Sequence, residues 1–341
     1  MIDLRSLEYD ELEKLLCDMG EPKFRAKQIF SWVMQGVESF DEMTNISKAT
    51  REKLSKSCYI SKLRIEQKYI SKLDGTVKYL FRLDDDNCIE TVVMRYKHGL
   101  SVCISSQVGC RMGCGFCAST IGGLYRSLSA GEILNQVIYA QKDMGERIKN
   151  IVMMGIGEPL DNYENVVKFL HNVNHKDGLN IGYRHISLST CGLVDKIYKL
   201  SEENLPITLS VSLHAPNNEI RNQIMPVNRK YPIEKLIKAC RDYINKTTRR
   251  ISFEYSLIAG VNDSMENAKE LSRLLSGMLC HINLIPVNHV EERNYHKGKT
   301  SDIKRFCDEL IRLGMNATIR RELGSDISAS CGQLRKKLLD K

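Results

Sequence analysis

Nowhere in its 341 residues does the chain carry the roughly 20 consecutive apolar residues that a transmembrane helix needs, so a helical membrane protein is excluded. Its opening, Met1-Ile-Asp-Leu-Arg-Ser-Leu-Glu8, lacks the basic region and apolar run of a secretory signal, and a cytoplasmic location is expected. Internal repeats and low-complexity linkers are also missing. Without an export signal, the twelve cysteines are not expected to form a disulfide framework. Most are scattered singly at apolar-looking positions (Cys17, Cys58, Cys191, Cys240, Cys280, Cys307) and read as small buried hydrophobes. With 42% hydrophobic and 27% charged residues the composition is ordinary, and the length suits one large α/β domain with a smaller companion.

The formal charge of +8 is unevenly placed. Lys48, Arg51, Lys53, Lys56, Lys62, Arg64, Lys68, Lys72, Lys78 and Arg82 face only Glu52, Glu66 and Asp74, an excess of +7 within 35 residues. Such an excess suits a polyanion, above all nucleic acid; a solvated lysine-rich face is the alternative.

The first 60 or so residues read as short helices. Residues 7–19 are helix-favouring and stop at Gly20. Pro22 opens a second helix bearing Phe24, Ile29, Phe30 and Val33, and Ser47 caps a third. Strands are expected at 76–83 and 88–96 about the turn Asp84-Asp85-Asp86-Asn87, giving a small α+β unit over residues 1–95. From Ser101 the pattern alternates. Apolar, β-branched runs fall at 102–107, 150–155, 185–190, 206–213, 251–258 and 280–287, with helical patterns between or after them. Ile233, Leu236, Ile237, Cys240 and Ile244 mark one such helix; Ala268, Leu271, Leu274, Leu275 and Met278 mark another. Six βα units in a row imply a parallel sheet, either doubly wound or a partial barrel, with ligands at the C-terminal strand ends.

Cys110-Arg-Met-Gly-Cys114-Gly-Phe-Cys117 carries the strongest chemical signal: three thiols within eight residues, just past the first strand. Zinc sites and most ferredoxin sites use four protein ligands, and the 50 residues after Cys117 offer no further Cys or His. Three ligands leave one iron of a cluster open to an exogenous ligand.

This run resembles that of the radical S-adenosylmethionine (SAM) enzymes, α/β proteins built on a (β/α)6 partial barrel. The resemblance implies a [4Fe–4S] cluster whose open iron chelates SAM, and reductive cleavage to a 5′-deoxyadenosyl radical. Met153-Met-Gly-Ile-Gly-Glu-Pro-Leu160, Leu188-Ser-Thr190, Val211-Ser-Leu-His-Ala-Pro216, Ile285-Pro-Val-Asn288 and Ala329-Ser-Cys-Gly-Gln-Leu334 extend the likeness to the RlmN family, over essentially the whole chain. These are dual-specificity adenine C2 methyltransferases of 23S ribosomal RNA and tRNA. A Cfr-like C8 methyltransferase is the alternative, although Pro159 and Pro286 look more like the C2 family. A non-catalytic iron–sulfur RNA-binding module would have no use for Cys103, Glu90 and Cys331 together.

The resemblance implies that Cys110, Cys114 and Cys117 hold the cluster. Gly157, Glu158, Ser189, Ser212, Leu213, His214 and Asn288 would contact SAM. Cys331 would accept a methyl group that then becomes a methylene radical and adds to the base. Cys103 would attack the Cys331 sulfur to form a disulfide and release the product. Glu90 would remove the C2 proton, kept basic by a low-polarity site. It further implies a core over residues 96–325, a methyl-carrying loop over 326–341, an electron donor such as flavodoxin or ferredoxin, and a monomer. One departure concerns the terminal loop: the family commonly has Asp-Ile-Asp-Ala-Ala before Cys-Gly-Gln-Leu, where this chain has Asp326-Ile-Ser328-Ala-Ser330. The target adenosine must be unstacked or flipped to enter a barrel mouth.

Overall fold

The structure is a computed structural model, and it describes residues 1–334. The last seven residues of the expected terminal loop, 335–341, lie outside the described residues. The chain opens with β1 (Ile2–Asp3), α1 (Tyr9–Asp18), α2 (Phe24–Gln35), α3 (Lys48–Ser57) and β2 (Cys58–Tyr59). As expected, Gly20 follows α1 and the Ser47 hydroxyl caps α3 by accepting from the Thr50 N–H. These helices pack on the core instead of standing apart. Asn172 donates to the Leu7 carbonyl at 2.9 Å, and the Gly131 N–H donates to Ser6 Oγ at 3.0 Å.

Four antiparallel strands follow: β3 (Arg64–Ile70), β4 (Val77–Arg82), β5 (Cys88–Tyr96) and β6 (Gly99–Cys103). A short hairpin, β7 (Gln107–Gly109) with β8 (Leu124–Ser127), brackets the three-cysteine run. The α/β region then comprises α4 (Ala130–Met144), β9 (Ile148–Met153), α5 (Tyr163–Asn174), β10 (Ile186–Thr190), α6 (Val194–Glu202), β11 (Thr208–Ser212), α7 (Asn218–Ile224), α8 (Ile233–Thr247), β12 (Ile251–Leu257), α9 (Met265–Leu275), β13 (Cys280–Pro286), α10 (Thr300–Arg312) and β14 (Ala317–Ile319).

One ten-stranded sheet runs β14-β13-β12-β11-β10-β9-β6-β5-β4-β3. From β6 to β14 every pairing is parallel and the order never reverses. A doubly wound sheet must reverse at a switch point. With right-handed crossovers all stepping the same way, the helices fall on one face and the sheet curls around the other. This is the partial-barrel solution, with β14 as an added seventh parallel strand. Ile151, Leu188, Leu209, Phe253 and Leu284 fill the core beneath the helices, each with no exposed surface. The antiparallel strands do not form a detached unit, for β5 pairs directly with β6 and continues the barrel's sheet.

Cys58, Cys191, Cys240 and Cys307 are buried as expected, but Cys17 is exposed on α1 and Cys280 is half-buried. Among the described residues no helix is long and apolar enough to cross a membrane.

Candidate active site

A cleft of about 950 Å³, partly open to solvent, lies at the C-terminal ends of the parallel strands. Cys110, Cys114 and Cys117 line it from the loop between β7 and β8. That loop is closed at its base and tied down in its middle. The Cys110 N–H donates to the Gly123 carbonyl at 3.0 Å, and the Gly115 N–H donates to the Ile224 carbonyl of α7 at 2.9 Å. Burial pushes all three thiols up, Cys110 to about 12, so their thiolates need a cation's charge to form. Among the described residues no three His, Cys, Asp or Glu side chains gather closely enough for a single metal ion. A zinc site requires that convergence, whereas a cluster takes one thiolate at each of several irons. The donor set therefore fits an iron–sulfur cluster with one iron lacking a protein ligand.

The strand-end residues line the same cleft with one exception. Gly157 has φ 105, and a Cβ there would lie 2.6 Å from the Gln107 Cβ and 2.8 Å from its N, so only glycine lets the two segments meet. Glu158 is buried, and its carboxylate accepts from the Leu160 N–H (3.0 Å) and the Cys191 N–H (2.7 Å), tying the ends of β9 and β10 together. Burial pushes its pKa up, opposed by these hydrogen bonds. Ser189 and Ser212 line the cleft; the Leu213 side chain does not and instead joins the hydrophobic core. The Nδ1 of His214 accepts from the Ser256 N–H at 2.8 Å, leaving the ring proton on Nε2. Burial and the nearby Arg221 push His214 down to about 3, so the imidazole is neutral. Asn288 lines the cleft with one amide N–H engaged: its Nδ2 donates to the Cys331 carbonyl at 2.8 Å, and the other N–H and Oδ1 remain for a ligand.

Cys331 lies at the cleft's edge in a loop fastened to the cysteine run. The Ala118 N–H donates to the Gly332 carbonyl (2.8 Å), and the Ser119 hydroxyl donates to the Leu334 carbonyl (2.6 Å). Cys103, on β6, is buried in a small cluster with Val92, Ile156 and Leu323, and its pKa is pushed up to about 12 by burial and by Cys331. The half-buried Arg320 guanidinium lies 3.9 Å from Glu254, and its charge would favour the thiolate form of both cysteines. All twelve cysteines are free thiols, so the expected Cys103–Cys331 disulfide is not formed here.

Glu90 is not in this cleft. It lines a neighbouring one with Tyr69, Lys78, Ser328 and Gln333, on the other side of the terminal loop. Nor are its surroundings of low polarity, because Lys78 Nζ sits 3.1 Å away and also donates to the Ser328 carbonyl at 3.2 Å. Lys78 is buried and leaves the set of surface phosphate contacts. Of the other basic residues, Lys48, Arg51, Lys53, Lys68 and Arg82 are in ion pairs. Lys56, Lys62, Arg64 and Lys72 are exposed, and their side chains make no ion pair among the described residues.

Sequence reasoning missed Glu254, Arg320 and Cys191, all of which line the cleft. An acid inside the apolar run Ile251–Leu257 is the signal that could have pointed to Glu254. Arg320 follows a three-residue strand and carries no local pattern.

A non-reversing parallel sheet with three cysteines over its C-terminal edge defines a radical SAM core, and the Radical SAM superfamily model matches residues 104–272. The model of the ribosomal RNA large subunit methyltransferase N-terminal domain matches residues 2–60. A protein of Clostridium novyi named "Probable dual-specificity RNA methyltransferase RlmN" is 55% identical over 340 residues, 99% of each chain. The protein of the same name from Alkaliphilus oremlandii is 58% identical over 338 residues, 99% of this chain and 98% of that one. The crystal structure of a radical SAM methyltransferase from Sphaerobacter thermophilus matches with a TM-score of 0.93 at 44% identity, over 98% of this chain and 99% of that one. The chain belongs to the RlmN family of radical SAM RNA methyltransferases.

Proposed function

We propose that the protein methylates C2 of an adenosine in 23S rRNA and in tRNA by way of a methylated Cys331. One observation carries this reading: the Cys331 loop is hydrogen-bonded to the cysteine run and opens onto the same cleft, while Cys103 and Arg320 stand beside it. Cys110, Cys114 and Cys117 would hold a [4Fe–4S] cluster, which together with SAM would supply a 5′-deoxyadenosyl radical; a separate SAM would supply the methyl group. Gly157 lets its segment close against Gln107 and so sets one wall of the ligand cleft. Glu158 accepts from its amino group, and Ser189, Ser212, the Leu213 backbone and His214 line its path. Asn288 holds the Cys331 carbonyl and with it the reach of the sulfur.

Cys331 Sγ gives up its proton and takes the methyl group; loss of one hydrogen atom from that methyl to the 5′-deoxyadenosyl radical would leave an S–CH2 radical whose carbon bonds to adenine C2. Glu90 takes the C2 proton, which requires the terminal loop to move because it separates Glu90 from the cleft. Cys103 gives up its proton and attacks Cys331 Sγ; the S–CH2 bond breaks as the S–S bond forms, the carbon leaves on the base and takes up a proton to become the methyl group, and one electron passes to the one-electron carrier. Residues 1–95 supply the RNA grip, residues 96–325 the catalytic core and residues 326–341 the methyl-carrying loop. A cytoplasmic monomer served by flavodoxin or ferredoxin completes the reading.

The test is mass spectrometry of rRNA and tRNA from a strain lacking the gene. Loss of 2-methyladenosine from both, restored by the gene, is expected; unchanged 2-methyladenosine would overturn the assignment.

A further inference from the structure

Arg221, on α7, has no exposed surface, yet it forms no ion pair with a carboxylate among the described residues. Its guanidinium donates to the Leu213 carbonyl (3.0 Å), Asn228 Oδ1 (2.9 Å), the Cys191 carbonyl (2.7 Å) and the Ser212 carbonyl (3.2 Å). These acceptors satisfy its N–H groups but are neutral, so the charge itself is not cancelled. A lone buried charge is costly, and its persistence calls for a counter-charge. Glu158 does not supply it as an ion-pair partner, being bonded instead to the Cys191 N–H. The groups that feel Arg221 most are the Cys191, Cys114 and Cys240 thiols, and the imidazole of His214 feels it too.

The packing points the same way. Cys114 packs with Cys191, Ile224 and Met225, and the Gly115 N–H donates to the carbonyl of Ile224, the last residue of Arg221's own helix. A thiolate-ligated cluster on Cys114 would put an anionic group on the far side of those contacts.

We infer that Arg221 is the internal counter-cation of the iron–sulfur site, a positioning residue that favours the reduced cluster while its hydrogen bonds fix the ends of β10 and β11. The inference rests on the three-cysteine cluster reading. It assigns two separable jobs to one side chain. The charge stabilises the extra electron, since a cation close by in a low-dielectric interior favours the more negative oxidation state. Three of its four hydrogen bonds hold the carbonyls of Cys191, Ser212 and Leu213, and Cys191 and Ser212 line the cleft.

Three variants separate these jobs in the cluster-loaded protein, titrated anaerobically with dithionite and read by electron paramagnetic resonance. Arg221→Lys keeps the charge and disturbs the hydrogen bonds; Arg221→Gln removes the charge. Asn228→Asp keeps the hydrogen-bond geometry at Nη1 and puts a carboxylate on the guanidinium. Iron content of the wild type is measured first, because a wild type without iron indicts the cluster reading and not Arg221. At a fixed potential, the reduced-to-oxidised ratio should fall about tenfold in Arg221→Gln and Asn228→Asp, which is 59 mV for a one-electron couple. In Arg221→Lys it should stay within about twofold of wild type. If Arg221→Gln does not hold a cluster, Asn228→Asp decides. An Asn228→Asp protein titrating like wild type, or an Arg221→Lys protein shifted as far as Arg221→Gln, would overturn the inference and leave Arg221 a structural clamp only.

Discussion

Replacing Lys78 by Met removes the ammonium that faces Glu90 and leaves the side-chain volume nearly unchanged. The two side chains are 8% and 4% exposed and 3.1 Å apart, and Lys78 also holds the Ser328 carbonyl at 3.2 Å. Losing one member of a buried pair strands the other charge, at a cost of about 3–5 kcal/mol. Little of that cost comes from packing, because Met fills the same space beside Tyr69. Equilibrium urea unfolding of Lys78→Met should therefore show a fall of that size. Lys78→Met/Glu90→Gln should recover much of it, because neither partner then carries a buried charge. The same substitution releases Ser328, so the terminal loop should become more open to protease. A cost below about 1 kcal/mol, or a double variant whose loss equals the sum of the singles, would refute the reasoning.

Charge reversal at Lys56, Lys62 and Arg64, exposed residues that make no ion pair among the described residues, should weaken RNA binding and flatten its salt dependence while leaving RNA-free SAM cleavage intact. An unchanged salt slope in filter binding would reduce the segment to a solvated face. Acid should destabilise the protein partly through His214. Its folded pKa of about 3 lies below the ordinary 6.5, so unfolding takes up a proton and stability drops by about 1.4 kcal/mol per pH unit as pH falls through that window. Urea midpoints between pH 7 and 5 should fall less steeply in His214→Gln, and equal slopes would contradict the assignment.

What the sequence revealed follows from how much each feature depends on local pattern. The buried parallel strands are near-continuous apolar runs, so Ile151, Leu209 and Phe253 announced them. The edge strand β3 was missed because Arg64–Ile70 is mostly exposed and has no apolar face to read. The short strand β14 has three residues, too few for a period. At the site, the spacing of Cys110, Cys114 and Cys117 was legible because one loop carries all three. The grouping of Cys103, Arg320 and Cys331 brings together residues from β6, the end of β14 and the terminal loop, which only the closed fold makes neighbours. Glu90 shows the opposite outcome. Its expected apolar surroundings proved to be Lys78, a partner contributed by the adjacent strand through the β4–β5 pairing and visible only once the register is known.

The most direct test of the methyl-cysteine account is the covalent protein–RNA adduct, measured by denaturing gel and peptide mass spectrometry in two variants. Cys103→Ala should accumulate RNA joined through a methylene on Cys331, because nothing remains to break that bond. Cys331→Ala should give no adduct, and the double variant should behave like Cys331→Ala, since the earlier block hides the later one. Normal turnover by Cys103→Ala, or RNA cross-linked to Cys331→Ala, would contradict the account.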